Sequence, residues 1–163
     1  MAGRQAGGME GIRQAGRAAA APSPEFGQAV TLHAGNGKPL RMRATLLAEA
    51  SNAAPRLRDW HEVSLWRRQD GEIILALRTH LQGGPEAERC RVLPFPSLEQ
   101  AMRWLEEFDP LQDLQPAFDA FDPQLIPCEA ALRAAALRQR AERLQHDWRA
   151  LSGGLLFELT QGP

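Results

Sequence analysis

Tyrosine is absent from this chain of 163 residues, lysine occurs once, at Lys38, and there are two cysteines. Cys90 and Cys128 stand far apart and form no Cys-x-x-Cys or Cys/His spacing, so we expect two reduced thiols rather than a disulfide or a zinc site. No apolar run approaches the roughly 18 residues that span a bilayer, and none resembles the apolar region of a signal peptide. These absences predict a cytoplasmic protein without a membrane-spanning segment.

The overall charge gives no reason to expect binding to nucleic acid or to an anionic membrane, since the net charge is -1 and the pI is about 6.4. Arginine and alanine are abundant, which we interpret as the codon bias of a GC-rich bacterial genome. The length predicts one domain with tails, large enough to bury a core without disulfides or metals.

Residues 1–26 are rich in glycine, alanine and arginine, show no apolar periodicity and close on Pro22 and Pro24. This composition predicts a disordered tail, because it offers too little apolar surface to offset the entropy of ordering the chain. Two alternatives stay open. Met9 is the true start, or the segment is an arginine-rich targeting leader, against which Glu10 and the glycines count.

From residue 27 the apolar pattern takes the period of two that is typical of strands. A strand at about 28–33, the turn "GNGK" and the alternating segment "PLRMRATLLAEA" predict a first hairpin. The segment "WHEVSLWRRQDGEIILALRTH", residues 60–80, predicts a second hairpin around Asp70-Gly71. A fifth strand is predicted at "RCRVLPF", residues 89–95.

The Asp-Gly pair predicts a two-residue turn, which fixes the register of the second hairpin. Trp66 is then expected opposite Leu75, and His61 opposite His80. The predicted faces are Trp60, Trp66, Ile73, Leu75 and Leu77 on one side, and Val63, Leu65, Ile74 and Ala76 with Arg67, Arg78 and both histidines on the other. A hairpin that is apolar on both faces is expected to be central in its sheet and covered on each side.

The helical part begins at Ser97, which has the capping-box spacing to Gln100 and predicts a short helix over residues 97–108. This helix and the strands form a predicted core domain, residues 27–108. Residues 109–126 are an acidic, proline-rich connector in which we expect only short turns. Residues 127–163 are predicted to hold a long helix, 127–151, ended by Gly153-Gly154, and an optional sixth strand at "LLFEL".

These elements predict an α+β fold class: an antiparallel β-meander of five to six strands packed against one short helix, plus a long C-terminal helix. That helix carries an unbroken heptad seam, so it covers either its own sheet or the helix of a second copy. Phe-Asp occurs at 108, just before the connector, and at 118 and 121 within it, and repeated Phe-Asp on such a segment is typical of short linear anchors. The candidate protein-interface residues are Phe118, Phe121, Leu137, Leu144, Trp148 and Leu151.

A non-catalytic protein-binding or assembly module is therefore the leading functional interpretation, and a nucleic-acid-binding accessory protein is the second. The second interpretation depends on four arginines of the predicted strands, Arg41, Arg43, Arg67 and Arg78, because arginines beside exposed aromatic rings bind single strands. Basic side chains also outnumber acidic ones in residues 1–93, and the reverse holds in residues 94–163.

An enzyme is the third interpretation, because catalytic and cofactor signatures are missing. The chain has no G-x-S-x-G motif, no glycine-rich phosphate loop and no D-x-D-x-D-G calcium loop. A carboxylate pair for acid and base chemistry stays open, since a sequence alone places no two side chains in one pocket. His61 and His80 could hold a metal, but no third ligand accompanies them, so we expect an ordinary pair. We predict no cofactor and no metal.

The order of "GKPLRMRATLLAEA", "WHEVSLWRRQDGEIILALRTH" and "RVLPFPSLEQAMRWL" resembles the central part of the small EXLDI proteins of actinobacteria, which are often plasmid-borne. Those proteins are similar in having a "G-x-x-x-R-F" strand leading to "LLGE", a "YR" strand, and a "GKFVLH"-like strand before a helix. The resemblance covers about residues 37–105 and implies a meander-plus-helix fold with an accessory or mobile-element role. The family's helical DNA-binding segment, its tyrosine and its terminal E-x-L-D-I stretch have no counterpart in this chain.

Overall fold

The computed structural model describes residues 27–35, 37–55, 57–83 and 88–161, so the tail predicted at residues 1–26 lies outside the described residues. Five strands and two helices follow one another along the chain: β1 Gln28–Leu32, β2 Leu40–Ser51, β3 Asp59–Arg68, β4 Ile73–Leu81, β5 Glu88–Phe95, α1 Leu98–Glu107 and α2 Pro127–Gln161. The predicted α+β class, with an antiparallel meander, a short helix and a long C-terminal helix, is confirmed.

The sheet has the order β1-β2-β3-β4-β5, and every neighbouring pair is antiparallel, with β1 and β5 as the outer strands. Strand β2 contains a β-bulge where it pairs with β3. Leu46 lies opposite Trp66 and Ala48 lies opposite Leu65, so Leu47 is an extra residue. An extra residue of this kind bends a strand and increases its twist. The bend lets the sheet curl into a half-barrel.

The turn between β3 and β4 differs from the prediction by one residue. The amide of Arg68 donates to the carbonyl of Glu72, the amide of Gly71 donates to the carbonyl of Arg68, and Gly71 has φ +88°. This is a three-residue loop closed by a glycine in the left-handed region. Leu65 therefore lies opposite Leu75, and Trp66 opposite Ile74. The predicted pairs Trp66 with Leu75 and His61 with His80 are wrong.

This register changes the composition of both faces of the sheet. One face, the helix face, is covered by α1 and α2 and carries the main core, which includes Val63, Leu65, Ile73, Leu75, Leu77, Leu105, Trp148 and Leu155. The tryptophans of β3 lie on the opposite face, with Ile74 and Ala76 of β4 rather than with Ile73 and Leu75. Because alternate residues of a strand point to opposite faces, an error of one in the register exchanges the partners of every side chain.

The opposite face, the inner face, holds a second and smaller core. Ala44, Trp66 and Ile74 are its buried centre. Val30 of β1 and Val92 of β5 both pack against this centre, although they come from opposite edges of the sheet. Two outer strands reach one cluster only if the sheet curls around it, so the hairpin of β1 and β2 closes over the inner face.

Helix α1 begins where the sequence predicts it, since the side chain of Ser97 accepts from the amide of Gln100 at 3.3 Å. Helix α2 does not end at Gly153-Gly154 but continues to Gln161, so the predicted end at 151 and the optional sixth strand are wrong. Leu151 and Leu155 are buried on the core and hold the helix together across the two glycines. In the described ranges, neither helix combines the length and the hydropathy that a membrane-spanning segment requires.

The connector between the helices is anchored to the sheet by one buried carboxylate. Asp113 accepts from Arg89 at 2.5 Å and from Arg91 at 2.6 Å, and its side chain is almost fully buried. Both arginines belong to β5 and lie on the helix face. The guanidinium of Arg91 also lies over the ring of Phe108, 5.8 Å from its centroid. The connector is thus fixed against the outer strand at this point.

Candidate protein-binding site

The two halves of α2 have different surroundings. In the C-terminal half, Leu144, Trp148, Leu151 and Leu155 are buried. In the N-terminal half, no residue from Pro127 to Arg143 is buried. At 1.5 Å per residue this half is about 26 Å long. Apart from one contact with the first residue of β3, it lies beside loops and the connector, and the candidate site is formed there.

A clamp made by Arg140 fixes this half of α2 to the sheet. Its guanidinium binds both carboxylate oxygens of Asp59, at 2.7 and 2.6 Å, and also donates to the carbonyl of Gln82 at 2.7 Å. The amide of Gln82 donates back to Asp59 at 3.1 Å. The hydrogen bonds that Arg140 donates to Asp59 raise the pKa of Arg140 further above its usual range. Bidentate pairs of this kind fix orientation as well as distance.

Beside the clamp lies a cavity of about 780 Å³, which we call the α2 cleft. Four chain segments line it: residues 57–59 at the start of β3, the turn 82–83 after β4, the connector at 117–118, and α2 from Arg133 to Asp147. Its apolar lining comes from Leu57, Phe118, Leu137 and Leu144. Cavities of roughly 300–1,000 Å³ with a mainly apolar lining are typical of binding sites.

The α2 cleft continues along the helix into a second, shallower groove of about 660 Å³. Leu57, Arg143 and Asp147 line both spaces, so the two are contiguous. Its far end is lined by Ala50 of β2 and by residues 150–158 of α2, among them Ala150, Leu151 and Gly154. A segment bound in the cleft therefore has room to extend along α2.

The charge around the α2 cleft is positive. Four arginines and two aspartates line it. Arg140 is paired with Asp59, and Arg133 with Glu129. Arg58 and Arg143 form no ion pair with any residue that the structure describes, and the same holds for Asp147. Two unpaired guanidinium groups and one unpaired carboxylate thus surround an apolar floor, an arrangement suited to an apolar group carried by an acidic segment.

The structure separates the six predicted interface residues into three groups. Phe118, Leu137 and Leu144 come together in the α2 cleft. Trp148 and Leu151 are buried in the core of the protein's own sheet, and Leu151 also lines the second groove. Phe121 is 92% exposed. The C-terminal half of the heptad seam therefore packs on the protein's own sheet and not on a second copy.

The four arginines of the predicted nucleic-acid face do not share one face. Arg41 and Arg43 of β2 and Arg67 of β3 are exposed on the helix face, beyond the part that the helices cover. Arg78 lies on the inner face, where it pairs with Glu88 at 2.6 Å and stacks over Trp60. The hydrogen bond with Arg78 lowers the pKa of Glu88. Three arginines therefore remain as a patch.

The two histidines lie on opposite faces and do not form a pair. His61 is opposite Thr79 and is fully buried against Trp148, with a ring-centroid distance of 5.1 Å. His80 is opposite Trp60 on the inner face, and the two rings stack at 5.2 Å. Within the described ranges, no three metal-ligating side chains lie together.

Several residues of the α2 cleft were not predicted from the sequence, namely Leu57, Arg58 and Arg143. Leu57 stands outside any periodic segment, and Arg143 lies off the heptad seam. Arginine is enriched in interfaces, so Arg143 beside the apolar seam carries a signal, whereas no local pattern points to Leu57 or Arg58. Comparisons with protein-family models, with curated proteins and with solved structures found no match to this chain.

Proposed function

We propose that this protein is a non-catalytic protein-binding module that holds a segment of a partner in the α2 cleft. The observation that carries the proposal is the apolar lining of the cleft, in which Leu57, Phe118 and Leu137 keep part of their surface exposed although four described segments converge there. The accessory or mobile-element role implied by the resemblance to EXLDI proteins is compatible with such a module and stays a prediction.

The composition of the cleft supports a protein partner. Interfaces concentrate their binding energy in apolar pockets surrounded by polar groups, and arginine is enriched in them. The α2 cleft has this arrangement, with Leu57 and Leu137 in its lining and Arg58 and Arg143 among its charged groups. A partner segment with an apolar anchor and carboxylates beside it would bury the anchor and pair both arginines.

The rigidity of the walls also supports binding. The clamp of Arg140 on Asp59 holds α2 against the start of β3, and the ion pairs of Asp113 hold the connector against β5. A site whose walls are fixed before binding loses less conformational entropy when a partner arrives.

Site-specific photo-crosslinking tests this function. A photo-reactive amino acid is placed at Leu57 or Gln139, which line the cleft, and at Ala135, which is exposed on α2 outside it. Crosslinking in the organism of origin, followed by mass spectrometry, is expected to yield the same protein from both cleft positions and not from Ala135. No crosslinked species, or the same species from all three positions, would contradict the proposal.

A nucleic-acid-binding role is the second candidate function, and one observation favours it. Arg41, Arg43 and Arg67 lie on neighbouring strands of one face, and none of them forms an ion pair with a described residue. Phosphate contacts predict an affinity that falls steeply with salt. Electrophoretic shifts at two salt concentrations, with Arg43→Ala and Arg67→Ala combined and Arg149→Ala as the control, test it, and no shift at low salt contradicts it.

A further inference from the structure

The connector presents two large apolar side chains to solvent, Phe121 and, at its end, Ile126, and Phe121 is the more exposed of the two. Phe118 lines the cleft of its own chain, whereas Phe121 is 92% exposed, the most exposed of the large hydrophobic residues in the described ranges. Both follow the same short pattern, a phenylalanine followed by an aspartate. The two phenylalanines therefore have opposite surroundings although their sequence contexts are alike.

Two local turns hold Phe121 in place. The side chain of Asp119 accepts from the amide of Phe121 at 2.9 Å, and the side chain of Asp122 accepts from the amide of Gln124 at 2.9 Å. The amide of Leu125 donates to the carbonyl of Asp122 at 3.0 Å. Residues 119–125, which we call the Phe121 turn, are thus ordered by their own hydrogen bonds. An apolar group presented by a preformed turn loses little entropy on binding.

The Phe121 turn and the α2 cleft have complementary chemistry. The turn offers one aromatic ring between two exposed carboxylates, Asp119 and Asp122. The cleft offers an apolar floor beside the unpaired guanidinium groups of Arg58 and Arg143. Each Asp has one carboxylate oxygen engaged in its turn, which leaves the second oxygen for an arginine.

We propose that two copies of this chain associate by exchanging their Phe121 turns, with Phe121 of each copy inserted into the α2 cleft of the other. This inference depends on the proposed function, since it requires that the cleft binds protein, and it names the partner as a second copy. The carboxylates of Asp119 and Asp122 meet Arg58 and Arg143 across the interface.

The position of the turn is compatible with such an exchange. Phe121 is three residues beyond Phe118, so at most about 10 Å of chain separates it from the wall of its own cleft. Two clefts related by a two-fold axis close to the turn can therefore exchange the ring reciprocally. The contact is then isologous, which closes the assembly as a dimer and leaves no cleft empty.

Light scattering coupled to size-exclusion chromatography tests the proposal on the full chain, at loading concentrations from roughly 1 μM to roughly 1 mM. The wild-type chain is expected to move from monomer to dimer within this range. Phe121→Ala is expected to weaken the dimer at least about tenfold, because the anchor of the interface is lost. Phe157→Ala is the matched control, since Phe157 is an exposed phenylalanine of α2 that does not line the cleft.

A second pair of variants tests the charges without breaking the turn. Asp119→Asn and Asp122→Asn together keep the side-chain oxygens that cap the turn and remove both carboxylates. They are expected to weaken the dimer by about two- to fivefold, as exposed ion pairs do. Arg58→Gln with Arg143→Gln is expected to weaken the dimer by a similar factor. When the two pairs of substitutions are combined, the fold-decrease in dimer affinity is expected to be smaller than the product of the two separate fold-decreases.

Three results overturn the inference: a wild-type chain that is monomeric at every concentration, a Phe121→Ala dimer as tight as the wild type, or additive effects of the two charge pairs. The proposed function fails separately. If Phe121→Ala leaves the mass unchanged while crosslinks from Leu57 and Gln139 still trap one different protein, the cleft binds protein and the exchange is wrong. If those crosslinks are also absent, both are wrong.

Discussion

The buried histidine of β3 is expected to make the protein less stable in mild acid. His61 is fully buried, its ring lies against Trp148 and Phe108, and neither ring nitrogen has a hydrogen-bond partner within the described part of the chain. Burial disfavours the charged imidazolium and lowers the pKa of His61 from 6.5 to about 4.

Nearby charges modify this effect without reversing it. The carboxylates of Asp113, Asp59 and Asp147 raise the pKa of His61, and the guanidinium of Arg91 lowers it. Desolvation outweighs the attraction of the three carboxylates because no carboxylate forms a hydrogen bond with the ring. In the folded protein the imidazole is therefore neutral at pH 7.

The size of the effect follows from the two pKa values. Between pH 6.5 and pH 4 the unfolded chain binds a proton at this histidine and the folded chain does not, so the free energy of unfolding falls as the pH falls. The difference between the pKa values of 6.5 and about 4 corresponds to about 3 kcal/mol of unfolding free energy. This contribution is fully present above pH 6.5 and is lost by pH 4. Below pH 4 both states bind the proton, and this histidine contributes no further change.

Urea denaturation at a series of pH values from 7 to 4 measures this contribution. His61→Phe keeps an aromatic ring of similar size and removes the titrating group, so it is expected to lose about 3 kcal/mol less than the wild type over this range. At pH 7 it is expected to be at least as stable as the wild type, because it also removes two buried polar atoms without partners.

The control variant is His146→Gln, which removes an exposed histidine of α2. Its stability is expected to follow the wild-type curve. Effects of acid on the rest of the chain are common to all three proteins and cancel in the difference. If His61→Phe loses stability in acid as steeply as the wild type, the explanation by burial of a neutral imidazole is refuted.

Substitutions at three further positions test other features by the same denaturation measurement. Asp113→Asn is expected to lower the free energy of unfolding by about 2 kcal/mol, since Arg89 and Arg91 lose their common carboxylate and are only partly exposed; a loss below about 0.5 kcal/mol would show that this contact is unimportant. Gly154→Ala is expected to raise the free energy of unfolding by about 1 kcal/mol, because nothing lies within 4 Å of the added carbon and alanine favours the helix. A decrease would contradict a continuous α2. Gly71→Ala is expected to lower the free energy of unfolding by about 1 kcal/mol, because the φ of +88° at this position is unfavourable for a residue with a side chain. Gly71→Asn is expected to lower it less, because asparagine adopts this conformation more readily than alanine.

Local sequence signals predicted the elements of the fold well, since each signal acts within a few residues. The alternation of apolar residues gave five strands near their observed positions, and Ser97 gave the start of α1. The register of β3 and β4 was predicted wrongly because Asp70-Gly71 suits both a two-residue and a three-residue loop. Only the hydrogen bonds of Arg68 distinguish the two.

Long-range contacts account for the other differences. Gly153-Gly154 ends many helices, but here Leu151 and Leu155 gain more from the core than the two glycines cost, roughly 2 kcal/mol by helix propensity. The connector was expected to hold only short turns, and its ion pairs with β5 through Asp113 join residues more than twenty positions apart. No local pattern carries such information.

The candidate site was predictable in part for the same reason. Phe118, Leu137 and Leu144 belong to the motif and the seam that the sequence displays, and they meet in the α2 cleft. The opposite wall comes from Leu57 and Arg58, in a loop about eighty residues from the helix that faces it. The loop and α2 come together because the fold places the start of β3 beside α2.

The outer strands of the curled sheet have a consequence for how this protein can polymerise. Main-chain groups along β1 and β5 face away from the other strands, and such borders can recruit further strands into fibrillar aggregates. Strand β1 has only five residues, and Pro94 interrupts the row of amides in β5. Both edge strands are thus poor templates for the addition of a further strand. Growth of the sheet from one molecule to the next is disfavoured, and we expect any assembly to be finite and governed by side chains.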